Sequence, residues 1–108
     1  NSVLNSQIAR GLKNIKKNNN IIFAYEPVWS IGTGLVPKNN DLNAQINVIK
    51  KILSKFWRLN NPKIVYGGSV NPKNISELRK ISSIKGFLVG GASQKAKNFI
   101  DIIKKTIN

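Results

Sequence analysis

The chain has 108 residues, enough for one domain of ordinary size, and a formal net charge of +14. It contains no cysteine and no histidine, which excludes disulfides, thiolate chemistry and histidine acid–base or metal chemistry. No apolar run approaches the roughly 20 residues of a membrane span, and no leader pattern opens the sequence. We therefore expect a soluble, cytoplasmic protein, and expect the chain to be a segment of a longer one because it starts at Asn1.

The positive charge has two competing explanations. Basic faces bind the phosphate backbones of nucleic acids, so a basic nucleic-acid-binding module is one alternative, and a steep salt dependence of binding would support it. However, the lysines accompany sixteen Asn and sixteen Ile, and all three residue types have AT-rich codons. The lysines are also scattered along helical segments and are not gathered with aromatic residues into a groove. Compositional drift of the genome explains the charge more simply, and we expect no specific nucleic-acid partner.

The first two predicted elements are a helix and a short strand. Apolar residues recur at helical spacing over residues 3–17, which predicts an amphipathic helix that three asparagines then end. Residues 21–25 are a continuous apolar run rich in β-branched and aromatic side chains, which is typical of a strand buried on both faces.

A second helix and strand follow a loop rich in Pro and Gly. Pro37 and the two asparagines after it indicate a helix start, with Asp41 in the first turn where the helix dipole favours an anion. The predicted helix continues to about residue 59, and its apolar face comprises Leu42, Ile46, Ile49, Leu53 and Phe56. Residues 63–66 are predicted to form the second strand.

A third helix, a third strand and a last helix complete the pattern. Asn74, followed three residues later by Glu77, resembles a capping box and predicts a helix that runs to about Ile81. Residues 86–89 are predicted to form the third strand and residues 95–106 the last helix. The residues that this helix is expected to present to a core are Phe99, Ile102 and Ile103.

The order is one helix, then strand, loop and helix three times. Alternating strands and helices predict an α/β fold with parallel strands and right-handed crossovers. The sequence shows no internal linker or low-complexity tract, so we interpret it as one piece of such a fold. Three parallel strands are too few to complete it.

All three predicted strands end in residues suited to ligand binding, which occurs at the carboxyl ends of parallel strands. Glu26, one of four acidic residues, follows the first strand, and Gly67-Gly68-Ser69 and Gly90-Gly91-Ala92-Ser93 follow the other two. Paired glycines let backbone N–H groups approach an anion closely, although a single such pair more often marks a tight turn. Two such loops beside a carboxylate predict a phosphorylated small molecule held by backbone amides next to a base.

Three segments carry a resemblance to a known family. Residues 24–34 read AYEPVWSIGTG, residues 66–70 read YGGSV, and residues 86–93 read GFLVGGAS. They resemble the catalytic-glutamate and lid segment and the seventh and eighth strand–loop segments of the triosephosphate isomerase family, in the same order and spacing. The resemblance covers essentially the whole chain. It implies an incomplete TIM (β/α)₈ barrel: strands 6–8 and their helices, preceded by one helix, with residues 1–108 as the C-terminal part of a single barrel domain.

The resemblance implies an isomerase of glycolysis and gluconeogenesis that interconverts dihydroxyacetone phosphate and glyceraldehyde 3-phosphate through an enediolate, with no cofactor or metal. Glu26 would be the base, and the phosphate would be bound by backbone amides of Gly32 in the lid and of Ser69, Gly90 and Gly91. The other lid residues that the resemblance implies are Pro27, Val28, Trp29, Ile31, Thr33 and Gly34. Outside this context, Trp29 would be interpreted as a core-packing aromatic.

The sequence also departs from the family pattern. A complete barrel has about 250 residues, and this chain has no counterpart of the substrate-binding lysine of the first strand or of the electrophilic histidine of the fourth. The loop through which the family forms homodimers is also absent. We therefore expect the 108 residues alone to be inactive and to need an N-terminal barrel segment, in an enzyme that is a homodimer and binds no membrane.

Two smaller departures bear on the lid and on stability. Pro37 lies where the lid rejoins its helix, and because Pro has no N–H, no bond from Tyr66 to that nitrogen can form. Ser83-Ile84-Lys85 stands where the family usually has acidic residues, so a salt bridge at that corner is in doubt. A different phosphate-binding barrel enzyme is the remaining alternative, against which Glu26 and the lid motif argue.

An unclosed parallel sheet leaves two edges exposed, and its strands need cover on both faces. We therefore expect the isolated chain to be marginally folded, self-associated, or completed by the N-terminal segment.

Overall fold

The structure is a computed structural model that describes residues 2–15, 20–27 and 37–107. Helices and strands alternate as the sequence predicts. In chain order they are α1 (Ser2–Leu12), β1 (Ile22–Tyr25), α2 (Asn39–Phe56), β2 (Lys63–Tyr66), α3 (Ile75–Leu78), β3 (Gly86–Phe87) and α4 (Ala96–Ile107), with a 3₁₀ turn at Gly91–Gln94 before α4. No helix within these described ranges is long and apolar enough to cross a membrane.

The three strands form one parallel sheet in the order β1-β2-β3. Phe23 pairs with Ile64, and Tyr25 pairs with Tyr66. On the other side of β2, Tyr66 pairs with Phe87, and the N–H of Leu88 donates to the Tyr66 carbonyl at 2.9 Å. The predicted α/β fold with parallel strands is therefore confirmed.

The hydrophobic core lies between the helices and one face of this sheet. Tyr66 and Ile64 of β2 are fully buried there. Its other fully or almost fully buried members come from the two helices that flank β2 in sequence: Leu42, Ile46, Leu53, Ile75 and Leu78. Burying an apolar side chain of this size stabilises the fold by about 1.5–3 kcal/mol, so this layer fixes where the strand ends point.

The prediction that the first strand is buried on both faces is wrong for this chain. Exposed and half-buried residues alternate along β1, and Ile22 is 62% exposed. In β2, likewise, Ile64 and Tyr66 are buried whereas Lys63 is exposed. Helices of the described residues cover only one face of the sheet, and β1 has a hydrogen-bonded neighbour only on the β2 side.

Two helices end earlier than their apolar periodicity predicts, and in each a residue with positive φ follows the end. α1 ends at Leu12, because Asn14 adopts φ 63° and the chain turns, with the Ile15 N–H donating to the Leu12 carbonyl at 3.1 Å. α2 ends at Phe56, because Arg58 adopts φ 54°. Phe56 was predicted on the buried face but is 65% exposed. A left-handed residue cannot continue a right-handed helix.

The capping box predicted at Asn74 does not form. The Asn74 side chain makes no cap hydrogen bond to α3, which spans only Ile75–Leu78, and Glu77 instead pairs with Lys80 at 2.8 Å on the surface. Asn74 bonds to the preceding loop, so the side chain that was expected to start the helix holds the loop after β2.

The last two elements also differ in detail from their predictions. β3 comprises only Gly86–Phe87, shorter than the four residues expected. In α4, Ile102 is buried as predicted, but Phe99 and Ile103 are 38% and 43% exposed. Periodicity identified the apolar face of α4 correctly; the described chain covers only part of that face.

A partly buried hydrogen bond anchors the corner before β3. The Ser83 hydroxyl donates to the Asn43 side-chain carbonyl of α2 at 2.6 Å, across 40 residues of sequence. Lys85 itself is exposed, and its backbone N–H donates to the Ile64 carbonyl at 2.9 Å. A neutral side-chain bond is therefore present where the sequence left the family's acidic anchor in doubt.

Candidate active site

The carboxyl ends of the three strands lie at one edge of the sheet. The N–H of Gly67, the first residue after β2, donates to the Tyr25 carbonyl of β1 at 2.9 Å. The residue that follows Tyr25 is Glu26, so the carboxylate and the Gly67-Gly68 pair start side by side. The register thus brings the first two predicted site segments together, with the loop after β3 next to them.

Glu26 lies directly over Gly67. A Cβ atom built on Gly67 would be 2.7 Å from Glu26 Cγ and 3.0 Å from its Oε1. Distances below 3.0 Å are not sustained between such atoms, so any side chain at this position would displace the carboxylate. The side chain of the neighbouring strand end fills the space that a Cβ at residue 67 would take. The Glu26 carboxylate itself is exposed in this chain.

The loop after β2 places Ser69 at this edge. Ser69 is 9% exposed, and its carbonyl accepts a hydrogen bond from Asn74 Nδ2 at 2.9 Å. The loop is compact because Asn71 and Asn74 bond to one another's backbone. Ser69 therefore lies in a braced turn.

The loop after β3 is more open. A Cβ on Gly90 or Gly91 would meet no atom of the described chain within 4 Å. Gly91 begins the 3₁₀ turn, which the Ser93 hydroxyl closes by donating to the Gly90 carbonyl at 2.6 Å. Open space above two consecutive glycines leaves room for a ligand to approach the backbone.

Most of the predicted lid lies outside the described residues, namely Val28, Trp29, Ile31, Gly32, Thr33 and Gly34. Pro27 is described and is buried directly after Glu26. Pro37, at the other end of that segment, is half-buried, and Tyr66 is fully buried.

A cavity of about 700 Å³ opens beside Glu26. α1 forms one wall and β1 another, and Glu26 and Pro27 lie along its lining. Most of the remaining lining is apolar, including Ile8, Phe23 and Ile49. Burial raises the pKa of Tyr25, which also lines the cavity. In the part of the chain that the structure describes, no three acidic side chains gather as a metal site would require.

Two residues near the site were not among the sequence-predicted site residues. Gly67 was noted only as half of a glycine pair, and its steric relation to Glu26 depends on strand register, which sequence alone does not give. Asn74 carried a signal, its spacing to Glu77, but that signal indicated a helix cap. Its bond to Ser69 follows from the three-dimensional turn.

Known proteins resemble this chain over almost its whole length. The family model described as "TIM: Triosephosphate isomerase" matches residues 1–106. A triosephosphate isomerase of Dictyoglomus thermophilum is 44% identical over 107 residues, which cover 94% of this chain and 43% of that protein. Triosephosphate isomerases of Lawsonia intracellularis and Mycoplasma mobile are 42% and 43% identical over 95% and 94% of the chain, and 42% and 40% of their own lengths. The chain thus spans less than half the length of the curated relatives that it matches.

Proposed function

Because this chain belongs to the triosephosphate isomerase family, we propose that it supplies the base and the phosphate-binding loops of an enzyme that interconverts dihydroxyacetone phosphate and glyceraldehyde 3-phosphate. The observation that carries the proposal is the contact of Glu26 with Gly67, beside the loop of Ser69. This closeness supports the proposal, because a ligand whose phosphate bound at the second strand end would have the carboxylate of the first beside it.

In the proposed reaction, Glu26 removes a proton from one carbon of the triose phosphate and returns it to the neighbouring carbon. The intermediate is an enediolate, and the same carboxylate serves as base and then as acid. The hydroxyl proton moves from one oxygen to the other as the carbonyl group changes place, so the reaction only redistributes hydrogen within the substrate and balances without a cofactor or a metal.

The substrate phosphate is proposed to bind backbone N–H groups of Ser69, Gly90 and Gly91, and of Gly32 from the segment between Pro27 and Pro37. Backbone amides suit this role because they offer fixed donors to a dianion. Glu26 is exposed in this chain, and the proposed mechanism needs water to be excluded from it when substrate is bound. We assign that exclusion to the lid residues Pro27, Val28, Trp29, Ile31, Thr33 and Gly34 and to an N-terminal barrel segment.

The 108 residues are proposed to act as the C-terminal part of a single (β/α)₈ barrel and to be inactive alone. The partner that completes the site is an N-terminal barrel segment with a substrate-binding lysine and an electrophilic histidine. The finished enzyme is proposed to be a cytoplasmic homodimer, with its dimer loop in that segment.

The test uses a barrel in which residues 1–108 follow the N-terminal segment of the Dictyoglomus thermophilum relative; we call this protein the joined barrel. We expect it to interconvert the two triose phosphates, and Glu26→Gln to lower kcat by at least about a hundredfold, the usual range for a lost acid–base group. Glu77→Gln is the matched control, since it makes the same chemical change at an exposed surface pair. A folded joined barrel without isomerase activity, or equal activity of the two variants, would contradict the proposal.

A further inference from the structure

Two asparagine side chains hold the loop between β2 and α3 by hydrogen bonds, and they differ in whether they donate, accept or do both. Asn71 Oδ1 accepts hydrogen bonds from the N–H groups of Lys73 and Asn74, at 2.8 and 3.0 Å. Asn74 Oδ1 accepts from the Asn71 N–H at 2.9 Å, and Asn74 Nδ2 donates to the Ser69 carbonyl at 2.9 Å. Asn71 thus serves the turn through its acceptor alone, whereas Asn74 uses both its acceptor and its donor.

The same loop is tied to the last helix. Lys105 Nζ of α4 donates to the Pro72 carbonyl at 3.0 Å and lies 3.3 Å from the Asp101 carboxylate. The far side of the turn is therefore fixed to the body of the protein, and the Asn74 amide connects this fixed part to Ser69. Ser69 lies at the strand ends, where the phosphate is proposed to bind.

We propose that Asn74 is a positioning residue for phosphate binding: its side-chain amide holds the Ser69 carbonyl and thereby sets how Ser69 faces the substrate phosphate. The inference rests on the proposed function, because it takes Ser69 as a phosphate-binding residue. It adds to that function a side chain that touches neither the phosphate nor the reacting carbons.

The physical basis is the rigidity of the peptide unit. The bond to the Ser69 carbonyl fixes the plane of the Ser69–Val70 peptide, and this plane is joined through the Ser69 Cα atom to the peptide that carries the Ser69 N–H. Without the Nδ2–H donor, the Ser69–Val70 peptide loses this restraint, because the hydrogen bond to the Ser69 carbonyl is gone. Ordering this peptide would then be required each time a phosphate binds, so binding weakens while the proton transfer at Glu26 is unaffected.

Two nearly isosteric variants test the role of the Asn74 side-chain donor. In the joined barrel, Asn74→Asp keeps the acceptor toward Asn71 N–H and replaces the donor to the Ser69 carbonyl with an oxygen that cannot bond to it. Asn71→Asp keeps its acceptors and removes no bond that the structure shows. Each variant adds one negative charge to the same six-residue turn, so repulsion between an added charge and a phosphate acts in both variants.

The measurement is the KM for glyceraldehyde 3-phosphate together with the inhibition constant of inorganic phosphate. We expect both constants to be about tenfold higher in Asn74→Asp than in Asn71→Asp, the loss that follows from one hydrogen bond. We expect the kcat values of the two variants to agree within about threefold, since binding and not chemistry changes.

Equal constants in the two variants would overturn the proposal. A lower unfolding temperature of Asn74→Asp with KM and phosphate inhibition equal to those of Asn71→Asp would also overturn it, because a merely structural brace gives that result. If the joined barrel binds inorganic phosphate calorimetrically but does not isomerise triose phosphates, the proposed function fails, and the phosphate affinities of the two variants still decide the role of Asn74. A folded joined barrel that binds no phosphate overturns both.

Discussion

The position of Glu26 depends on the absence of a side chain at Gly67. An alanine there would place its Cβ 2.7 Å from Glu26 Cγ, so the carboxylate must move. Misplacement of a reacting group by about 1 Å costs about a hundredfold in rate. We therefore predict that Gly67→Ala in the joined barrel lowers kcat by about a hundredfold, as measured by steady-state turnover of glyceraldehyde 3-phosphate.

Gly11→Ala is the control for that experiment. In α1, a Cβ on Gly11 would meet nothing within 4 Å of the described chain, and alanine is the better helix former. We expect it to leave kcat unchanged and to stabilise the fold by about 0.5–1 kcal/mol. A Gly67→Ala enzyme as active as Gly11→Ala would show that Glu26 does not need this contact.

Tyr25 gives the site region a defined response to alkali. Burial raises the pKa of its hydroxyl above the ordinary 10.0, so the folded chain holds this proton more tightly than the unfolded chain does. The resulting stability is complete below the unfolded pKa and is lost as the pH rises through the folded pKa. We predict that Tyr25→Phe removes the loss of stability that the ionisation of Tyr25 causes at alkaline pH. The measurement is the free energy of unfolding of the joined barrel as a function of pH. If the free energy of unfolding falls equally with alkaline pH in the joined barrel and in its Tyr25→Phe variant, the prediction is wrong.

At the scale of single elements, a substitution at the end of α2 is expected to stabilise the fold. Arg58 adopts φ 54°, a conformation that costs an ordinary residue about 1–2 kcal/mol. We predict that Arg58→Gly stabilises the joined barrel by up to about 1 kcal/mol, because glycine's greater unfolded-state entropy offsets part of the gain. Urea denaturation measures the change.

Asn14→Gly tests the same idea where less gain is expected. Asn14 adopts φ 63°, but Asn visits this region more readily than Arg does. The variant should change the free energy of unfolding by no more than about half as much. A larger effect at Asn14 than at Arg58 would mean that something other than backbone conformation controls these helix ends.

The elements themselves show what a sequence pattern does and does not contain. β2 was predicted at its observed bounds, because Pro62 and Gly67 limit the apolar run to a length that suits a strand and is too short for a helix. The periodic pattern overran the ends of α1 and α2, since one residue with positive φ ends a helix whatever its apolar spacing. Phe56 and Phe99 lie on apolar stripes but are exposed, because periodicity identifies an apolar face without saying what covers it.

At the scale of the whole molecule, the uncovered surfaces predict association of the 108 residues on their own. Ile22 on β1 and Ile107 on α4 are 62% and 76% exposed, and the charge of +14 opposes contact between copies. Salt shortens the range of that repulsion to about 10 Å at 0.1 M. We predict that sedimentation velocity finds self-association of the isolated chain that increases with salt, and that the joined barrel lacks this increase. A monomeric, cooperatively melting chain at high salt would contradict the prediction.

The candidate site was predictable in its segments and not in its contacts. Glu26, Ser69 and the Gly90-Gly91 pair were identified from their place after strands, because parallel strands must end at one edge. The closeness of Glu26 to Gly67 and the bond from Asn74 to Ser69 depend on register and on turn geometry. The sequence is compatible with more than one strand register and more than one turn geometry, so only the folded chain shows which residues come into contact.

The bond between Ser83 and Asn43 determines how the corner before β3 behaves in different solutions. A hydroxyl and an amide carry no net charge, so ionic strength does not alter their attraction, whereas added salt would weaken a carboxylate–cation pair. In a chain with only four acidic residues, a neutral anchor also avoids desolvating one of them. This corner should therefore hold equally well in dilute buffer and in concentrated salt.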